Sequence, residues 1–239
     1  MNKSYEVLAK YYDKLMGDFN YNEIASFINK QNFGKNGLEL GCGSGEITIP
    51  LAKLGYKMTA VDISTKMLDI AQKKALKNAL DIRFLCDDIV ELELDKKFDF
   101  IIAICDVFNY ISNDELKIVI DKCYNMLNDG GTLLFDVSSY YKLTEILGDN
   151  IYFEEYDDFS YFWQNEIVEE ENAVDMDLVF FIKDKDGKYD RQEEQQRQYY
   201  ITKENLLAML DKFSKVDIFD DNFNSATSKS TRLFFKVVK

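Results

Sequence analysis

The feature that most constrains the fold is a glycine-rich turn at residues 38–46, which read LELGCGSGE. A short apolar strand, Leu38–Leu40, runs into this turn, and a helix predicted over Glu46–Leu54 follows it. Glycine lets a backbone approach a bound ligand closely. In open α/β sheets, ligands lie beyond the carboxyl ends of the strands. The turn therefore predicts an α/β sheet with a ligand site at its first strand-to-helix connection.

The alternation of strands and helices continues along the next hundred residues. Ser64 is a candidate N-cap, and Met67, Leu68, Ala71 and Ala75 follow it at helical spacing. Further strands are predicted at Lys57–Val61, Ile82–Leu85, Phe98–Ile104 and Thr132–Val137, and a helix at Asn113–Leu127. This order predicts a parallel α/β sheet with right-handed crossovers.

The pattern changes after the fifth strand. Four strand-like runs are separated by turn signals, of which Asp186-Gly187 is a strong hairpin dipeptide. These runs are Tyr152–Tyr156, Phe159–Glu169, Val174–Lys183 and Tyr189–Ile201. A helix is then expected from Thr202 to Phe213, followed by strands at Val216–Phe219 and Leu233–Val238. The sequence thus predicts a small antiparallel sheet inserted into the larger α/β sheet.

Composition excludes several kinds of chemistry. The 239 residues contain no histidine, so a His-based triad, an imidazole base and a His-ligated metal are ruled out. The net charge of −14 argues against a nucleic acid or anionic membrane partner. The four cysteines show no CxxC spacing, so we expect no metal site and reduced thiols in a cytoplasmic protein. No signal peptide or membrane span is expected either.

Carboxylates follow the neighbouring strands at the same edge of the predicted sheet. Asp62 ends the second strand, 23 residues after Glu39, where an acid can accept hydrogen bonds from both hydroxyls of a ribose. Asp87 follows the third strand. These acids strengthen the ligand site that the glycine-rich turn predicts.

This constellation resembles the class I S-adenosylmethionine (SAM)-dependent methyltransferases over about residues 37–137, and in outline over 202–239. The resemblance implies SAM as the cofactor. It also implies a Rossmann-like, seven-stranded, mostly parallel sheet with helices on both faces. It implies that Glu39, Gly41, Cys42 and Gly43 face the methionine part, and that Asp62 holds the ribose. Adenine would contact Ile63, Met67, Asp87, Asp88 and Ile89, and Cys105 and Asp106 would lie beside the methyl group. It also implies an N-terminal helical lid (1–36), a SAM-binding domain (37–148 and 202–239) and an inserted substrate-covering subdomain (149–201).

A dinucleotide-binding fold is the competing interpretation of the turn. That fold needs GxGxxG, in which the third glycine allows close packing of helix on strand. Here Glu46 occupies that place and Gly45 comes one residue early. The sequence therefore favours the methyltransferase interpretation.

The acceptor is predicted to be a small molecule. Methyltransferases of base amino groups typically carry an Asn/Asp-Pro-Pro-aromatic motif after the fourth strand, but residues 105–110 read CDVFNY. The chain looks more like the glycine and amino-sugar N-methyltransferases. That resemblance implies catalytic roles for Asp106 and Tyr12, and acceptor contacts for Tyr5, Asn109, Tyr110 and Arg197. Arg197 alternatively pairs with acids of the insertion, and the N-terminal tyrosines alternatively form a buried helix stripe.

The missing histidine favours an amine acceptor, because a neutral amine needs no strong base in the transfer step. Two alternatives stay open, a transfer-RNA methyltransferase and a SAM-binding regulatory protein without catalysis. The sequence leaves the oligomeric state undetermined.

Overall fold

The computed structural model describes Tyr11 and residues 20–239. Its helices are α1 (Tyr21–Gln31), α2 (Thr48–Lys53), α3 (Thr65–Lys77), α4 (Asn113–Met126) and α5 (Lys203–Met209). Its strands are β1 (Asn36–Leu40), β2 (Lys57–Asp62), β3 (Arg83–Cys86), β4 (Phe98–Ala103), β5 (Leu127–Ser138), β6 (Ile151–Glu155), β7 (Phe159–Val168), β8 (Ala173–Lys183), β9 (Tyr189–Tyr199), β10 (Lys215–Phe219) and β11 (Arg232–Val238).

Seven strands form one sheet in the order β10-β11-β5-β4-β1-β2-β3. The pairs among β1 to β5 are parallel, whereas β11 is antiparallel to both β5 and β10. The predicted Rossmann-like, mostly parallel sheet is confirmed. Because β11 lies between β5 and β10, it brings its first residue, Arg232, to the edge where β4 and β5 end.

The seven-stranded sheet is buried on both faces, as alternate residues of its central strands show. Ile101 and Phe135 pack with residues of α4 and α5 in one core cluster. Their neighbours Phe100 and Leu134 pack with residues of α1 and α2 in a second cluster. Helices therefore cover both faces, and the ends of the strands form the accessible edge.

Several helix starts follow directly from the sequence. Ser64 caps α3 by accepting from the amide of Met67, and Thr202 caps α5 by accepting from Asn205. Several boundaries differ from prediction, and α5, for example, ends at Met209 and not at Phe213. Helix α2 begins at Thr48 and not at Glu46, because Gly45 still has a left-handed φ of 85°. Helix α4 ends at Met126, because Leu127 already pairs with Phe98 as the start of β5.

The predicted inserted sheet is also confirmed, as four antiparallel strands in the order β6-β7-β8-β9. Cross-strand register defines its two faces. The inner face carries Tyr161, Trp163, Met176 and Phe180 and packs against a short π-helical segment, Lys142–Leu147, and against Tyr11. The outer face carries the exposed residues Ile151, Phe153 and Phe162. Among the described helices, none has the length and apolar character needed to cross a bilayer.

Candidate active site

The glycine-rich turn lies beside a buried carboxylate. Glu39 is 3% exposed and accepts a hydrogen bond from the hydroxyl of Thr48. Desolvation by burial raises its pKa to about 8, against the Thr48 hydrogen bond, and the charge of Asp62 adds to the rise. A carboxyl that burial keeps protonated is ready to ionise when a cation arrives beside it.

Asp62 fixes the shape of the turn from the end of β2. One of its carboxylate oxygens accepts from the amide of Gly43 at 2.7 Å, and the other accepts from the amide of Ser64 at 2.8 Å. Burial raises the pKa of Asp62, although both hydrogen bonds oppose the rise. No atom lies within 4 Å of the place where a Cβ on Gly43 would stand, so the turn leaves open space above this backbone.

The next strand ends provide an apolar surface and a polar turn. Ile63 is 59% exposed, which is unusual for isoleucine, whereas Met67 is buried beneath the start of α3. Asp87 and Asp88 follow β3, and their carboxylates accept from the amides of Asp88 and Val90 at 2.9 and 2.8 Å. Ile89, in the same turn, is half-buried. The residues predicted to contact adenine therefore lie at the ends of the neighbouring strands β2 and β3.

The residues that follow β4 adopt a strained backbone. Cys105 and Asp106 have φ values of 68° and 51°, the left-handed region that residues with a Cβ seldom adopt. Asp136 in β5 holds this turn, because its carboxylate accepts from the amides of Cys105 and Asp106 at 2.8 and 3.1 Å. Asp136 is fully buried and pairs with Arg232. The strain is thus maintained by a buried ion pair.

Asp106 is the centre of a hydrogen-bond network. One of its carboxylate oxygens accepts from the hydroxyl of Ser138 at 2.8 Å and from the side-chain amide of Gln198 at 3.2 Å, and lies 3.8 Å from Arg232. Burial alone would raise its pKa, but the charges of Arg232 and Lys142 and these hydrogen bonds lower it. Lys142 donates to Ser138 at 3.1 Å, and burial lowers its own pKa.

Two of the residues predicted to contact the methyl acceptor, Tyr110 and Asn109, form hydrogen bonds with the inserted sheet. Tyr110 donates to Gln196 of the inserted sheet at 3.3 Å. Asn109 is buried, and its amide group donates to the carbonyls of Ser138 and Tyr199, so it joins the two sheets and leaves no N–H for an acceptor.

Arg197 does not join these residues. It pairs with Asp175 and Glu171 on the face of the inserted sheet opposite to Gln196 and Gln198, so its side chain lies away from these two residues. The alternative that we derived from the sequence, pairing with acids of the insertion, is what the structure shows. Tyr5 and Tyr12 lie outside the described residues, and their roles stay predictions.

Comparisons with known proteins agree with this geometry. A methyltransferase-domain family model matches residues 38–131. A protein of Geobacillus sp. (strain WCH70), named a putative methyltransferase, is 35% identical over 245 residues, which cover 99% of each chain. The crystal structure of a SAM-dependent methyltransferase from Clostridium acetobutylicum is 30% identical, with a TM-score of 0.89 over 98% of both chains. The chain belongs to the SAM-dependent methyltransferases.

A more distant structure shares the fold of this methyltransferase. A sugar N-methyltransferase from Streptoalloteichus sp. has a TM-score of 0.74 and 15% identity, and the match covers 100% of this chain and 94% of that one. SAM is the methyl donor of the family to which the chain belongs, and the residues present fit it. A cavity lined by Tyr21, Glu39, Gly41 and Cys105 adjoins the open space above Gly43. A buried carboxyl at this place suits the positively charged amino group of SAM.

Sequence reasoning missed several residues of the methyltransferase site. Asp136 and Arg232 are the main ones, followed by Ser138, Lys142, Gln198 and Thr48. One signal was present, because Asp136 is a charged residue inside the apolar run at residues 132–137, where a buried carboxylate needs a partner. No local signal marks Arg232, which reaches Asp136 across 96 residues of chain.

Proposed function

We propose that this methyltransferase transfers the methyl group of SAM to an amine nitrogen of a small-molecule acceptor. The observation that carries the proposal is the environment of Asp106. Its carboxylate accepts from Ser138 and Gln198 and faces Arg232, which keeps it charged and makes it a weak base. Such a group can hold and orient an acceptor, but it is poorly suited to removing the proton of an alcohol.

An amine acceptor fits these residues. When bound, SAM supplies an electrophilic methyl group on a positively charged sulfur. Asp106 would accept an N–H of the neutral amine and direct the nitrogen lone pair toward that methyl group. An alcohol would need a base, and Lys142 beside Ser138 is the described residue best placed to act as one. Methylation at oxygen would therefore depend on Lys142.

The size of the acceptor is inferred from the cover of the site. We call the turn at Cys105 and Asp106, where β4 ends, the methyl-transfer end of the larger sheet. Gln198 contacts Asp106, and Tyr110 contacts Gln196, so the inserted sheet lies directly on this end. Residues 149–195 hold 16 acids and 4 bases, a net charge of −12. A small neutral or cationic acceptor suits this enclosure, whereas a nucleic acid would be repelled. The similarity in fold to a sugar N-methyltransferase is in keeping with this proposal.

We further infer how the chain holds SAM. Glu39 pairs with the amino group of its methionine part, and the backbone of Gly41, Cys42 and Gly43 lies beside it. Asp62 binds the ribose, and Ile63 provides an apolar surface for adenine with Met67 beneath. The turn of Asp87, Asp88 and Ile89 borders the base. Cys105 lies next to the methyl-donor end, where residues 1–36 would act as a lid.

Methyl transfer from labelled SAM tests the proposal. The purified protein is offered amines, alcohols, carboxylic acids and total transfer RNA, and the methylated atom of each product is identified by NMR. We expect N-methyl products, with kcat/KM lowered about 10- to 100-fold in Asp106→Asn, that is by about 1.4–2.7 kcal/mol. The exposed Asp69→Asn serves as a control and should match the wild type.

Methylation of oxygen alone, with loss of activity in Lys142→Met, would overturn the amine proposal. Transfer to RNA alone would show that the acceptor is a macromolecule. SAM binding without transfer to any acceptor would favour the regulatory alternative, and Asp62→Ala, which should no longer bind SAM, verifies the cofactor site in the same experiments.

A further inference from the structure

On the inner face of the inserted sheet, β9 carries different side chains from β7 and β8. The inner positions of β7 and β8 are mostly apolar or aromatic, as Tyr161 and Phe180 illustrate. The inner positions of β9 are polar, and we call Glu194, Gln196 and Gln198 the polar row. Glu194 is 5% exposed and Gln198 is 4% exposed. Buried polar groups on an otherwise apolar face need hydrogen-bond partners, in the protein or in a ligand.

The polar row leads away from the methyl-transfer end. Gln198 donates to Asp106 at 3.2 Å, and Tyr110 donates to Gln196 at 3.3 Å. Gln196 in turn donates to Glu194 at 3.0 Å. Four residues of β-strand span about 13 Å. The polar row therefore begins at Gln198, which contacts Asp106, and ends about 13 Å further along β9 at the buried carboxylate of Glu194.

Two unpartnered side-chain atoms of β7 lie in register with residues of the polar row. Asn165 is 3% exposed, and among the described residues its side-chain oxygen finds no hydrogen-bond donor; the indole N–H of Trp163 likewise finds no acceptor. Across the intervening strand β8, Asn165 is in register with Gln196, and Trp163 is in register with Glu194. A ligand with an N–H beside Asn165 would donate a hydrogen bond to this oxygen. Packing of the inner face alone leaves the oxygen without a donor among the described residues.

We propose that the polar row binds an elongated amine that carries a second cationic group about 10–13 Å from the methylated nitrogen, with Glu194 as its counter-ion. The inference rests on the amine acceptor proposed above and specifies its class. The net charge of −12 over residues 149–195 favours a dication over a neutral chain. Trp163 and Tyr152, whose rings lie 5.4 Å apart on the inner face, offer aromatic surfaces to an ammonium group.

Three probes of equal chain length separate the contributions. Spermidine, 1,8-diaminooctane and nonylamine each have ten heavy atoms in line. Nonylamine lacks the end cation, and spermidine adds a central ammonium group with two N–H bonds. Their binding to the complex with S-adenosylhomocysteine is measured by calorimetry, so the assay does not depend on turnover. We expect 1,8-diaminooctane to bind at least tenfold more tightly than nonylamine, and spermidine more tightly still.

Paired variants on the two faces of β9 supply the controls. Glu194→Gln should abolish the advantage of 1,8-diaminooctane, whereas Glu193→Gln, one residue away on the outer face, should retain it. Gln196→Met should remove the preference for spermidine, and its outer-face counterpart Gln195→Met should not. This second pair also tests the proposal if Glu194→Gln does not fold, which thermal unfolding would reveal.

Equal binding of nonylamine and 1,8-diaminooctane would overturn the proposal, as would failure of all three probes to bind or equal effects of inner-face and outer-face variants. The methyl-transfer assay is a separate readout. Glu194-dependent binding without methylation of any amine would refute the amine acceptor of the proposed function and leave the cation site at the polar row standing.

Discussion

Protonation of Glu39 is expected to control how tightly the methyltransferase binds SAM. Burial raises the pKa of this carboxyl to about 8 in the free protein, so it is protonated at neutral pH. The positively charged amino group of SAM should lower that pKa, because a nearby opposite charge favours the ionised form. Binding should therefore release a proton from Glu39, and a falling pH should weaken binding.

The magnitude follows from the pKa of about 8. At pH 7 about nine-tenths of the free protein carries this proton, and removing it costs about 1.4 kcal/mol, rising to about 2.7 kcal/mol at pH 6. The Kd for SAM should thus increase about tenfold for each unit by which the pH falls below 7. About 0.9 proton should be released per SAM bound at pH 7.

Calorimetry in buffers of different ionisation enthalpy measures this proton directly. The measurements are made between pH 5.5 and about 7, because the α-amino group of SAM itself titrates near pH 8 and would contribute protons above this range. Glu39→Gln is the reference, since it retains the hydrogen bond with Thr48 but carries no titrating proton. A difference in proton release below about 0.2 between the two proteins, or parallel pH profiles of Kd, would refute the reasoning.

The pH dependence of the free energy of unfolding, measured without SAM, tests the raised pKa of Glu39 independently. The folded-state pKa of about 8 lies above the ordinary value of 4.5, so the folded state holds more protons between these limits. The contribution of Glu39 to stability is therefore present below about pH 4.5 and is lost as the pH rises to about 8. The slope is about 1.4 kcal/mol per pH unit, and urea unfolding of Glu39→Gln should lack it.

Three further outcomes are expected. Gly41→Ala should weaken SAM binding more than tenfold, because its Cβ would lie 2.5 Å from Val107, whereas Gly187→Ala, at a φ of 81° with open space, should pay only the backbone strain and bind SAM normally by calorimetry. Asp136→Asn should lower the free energy of unfolding by about 3–5 kcal/mol, while Asp217→Asn, in a surface ion pair, should change it by less than about 1 kcal/mol in urea titrations. Iodoacetamide should modify the exposed Cys86 first, and SAM should slow this modification; mass spectrometry showing an unprotected Cys86 would contradict the adenine placement.

The glycine-rich turn and the carboxylates that follow it were predictable because they depend on short stretches of sequence. A strand that is followed by Gly41 and another that ends in Asp62 must meet at one edge if the strands are parallel. The cap at Ser64 depends only on residues within one turn of α3. Interactions of this range are encoded locally, so reading the sequence recovers them.

The methyl-transfer end depends on register and long-range pairing. Arg197 was chosen from a run in which its neighbours Gln196 and Gln198 face the site, and one step along a strand reverses the face. Asp136 and Arg232 meet only because β11 pairs antiparallel with β5, with Arg232 opposite Ser138. Neither register is set by residues near these positions, so their side chains could not be placed from the sequence.

The position of β11 between β5 and β10 has a consequence for synthesis on the ribosome. The parallel strands β1 to β5 can pair early, but Asp136 obtains its buried counter-charge only when the chain has grown 96 residues further. Until then, the left-handed turn at Cys105 and Asp106 rests on a carboxylate that lacks its arginine. The nascent protein should therefore acquire its SAM-binding turn well before its methyl-transfer end, and the two halves of one site are completed at different times.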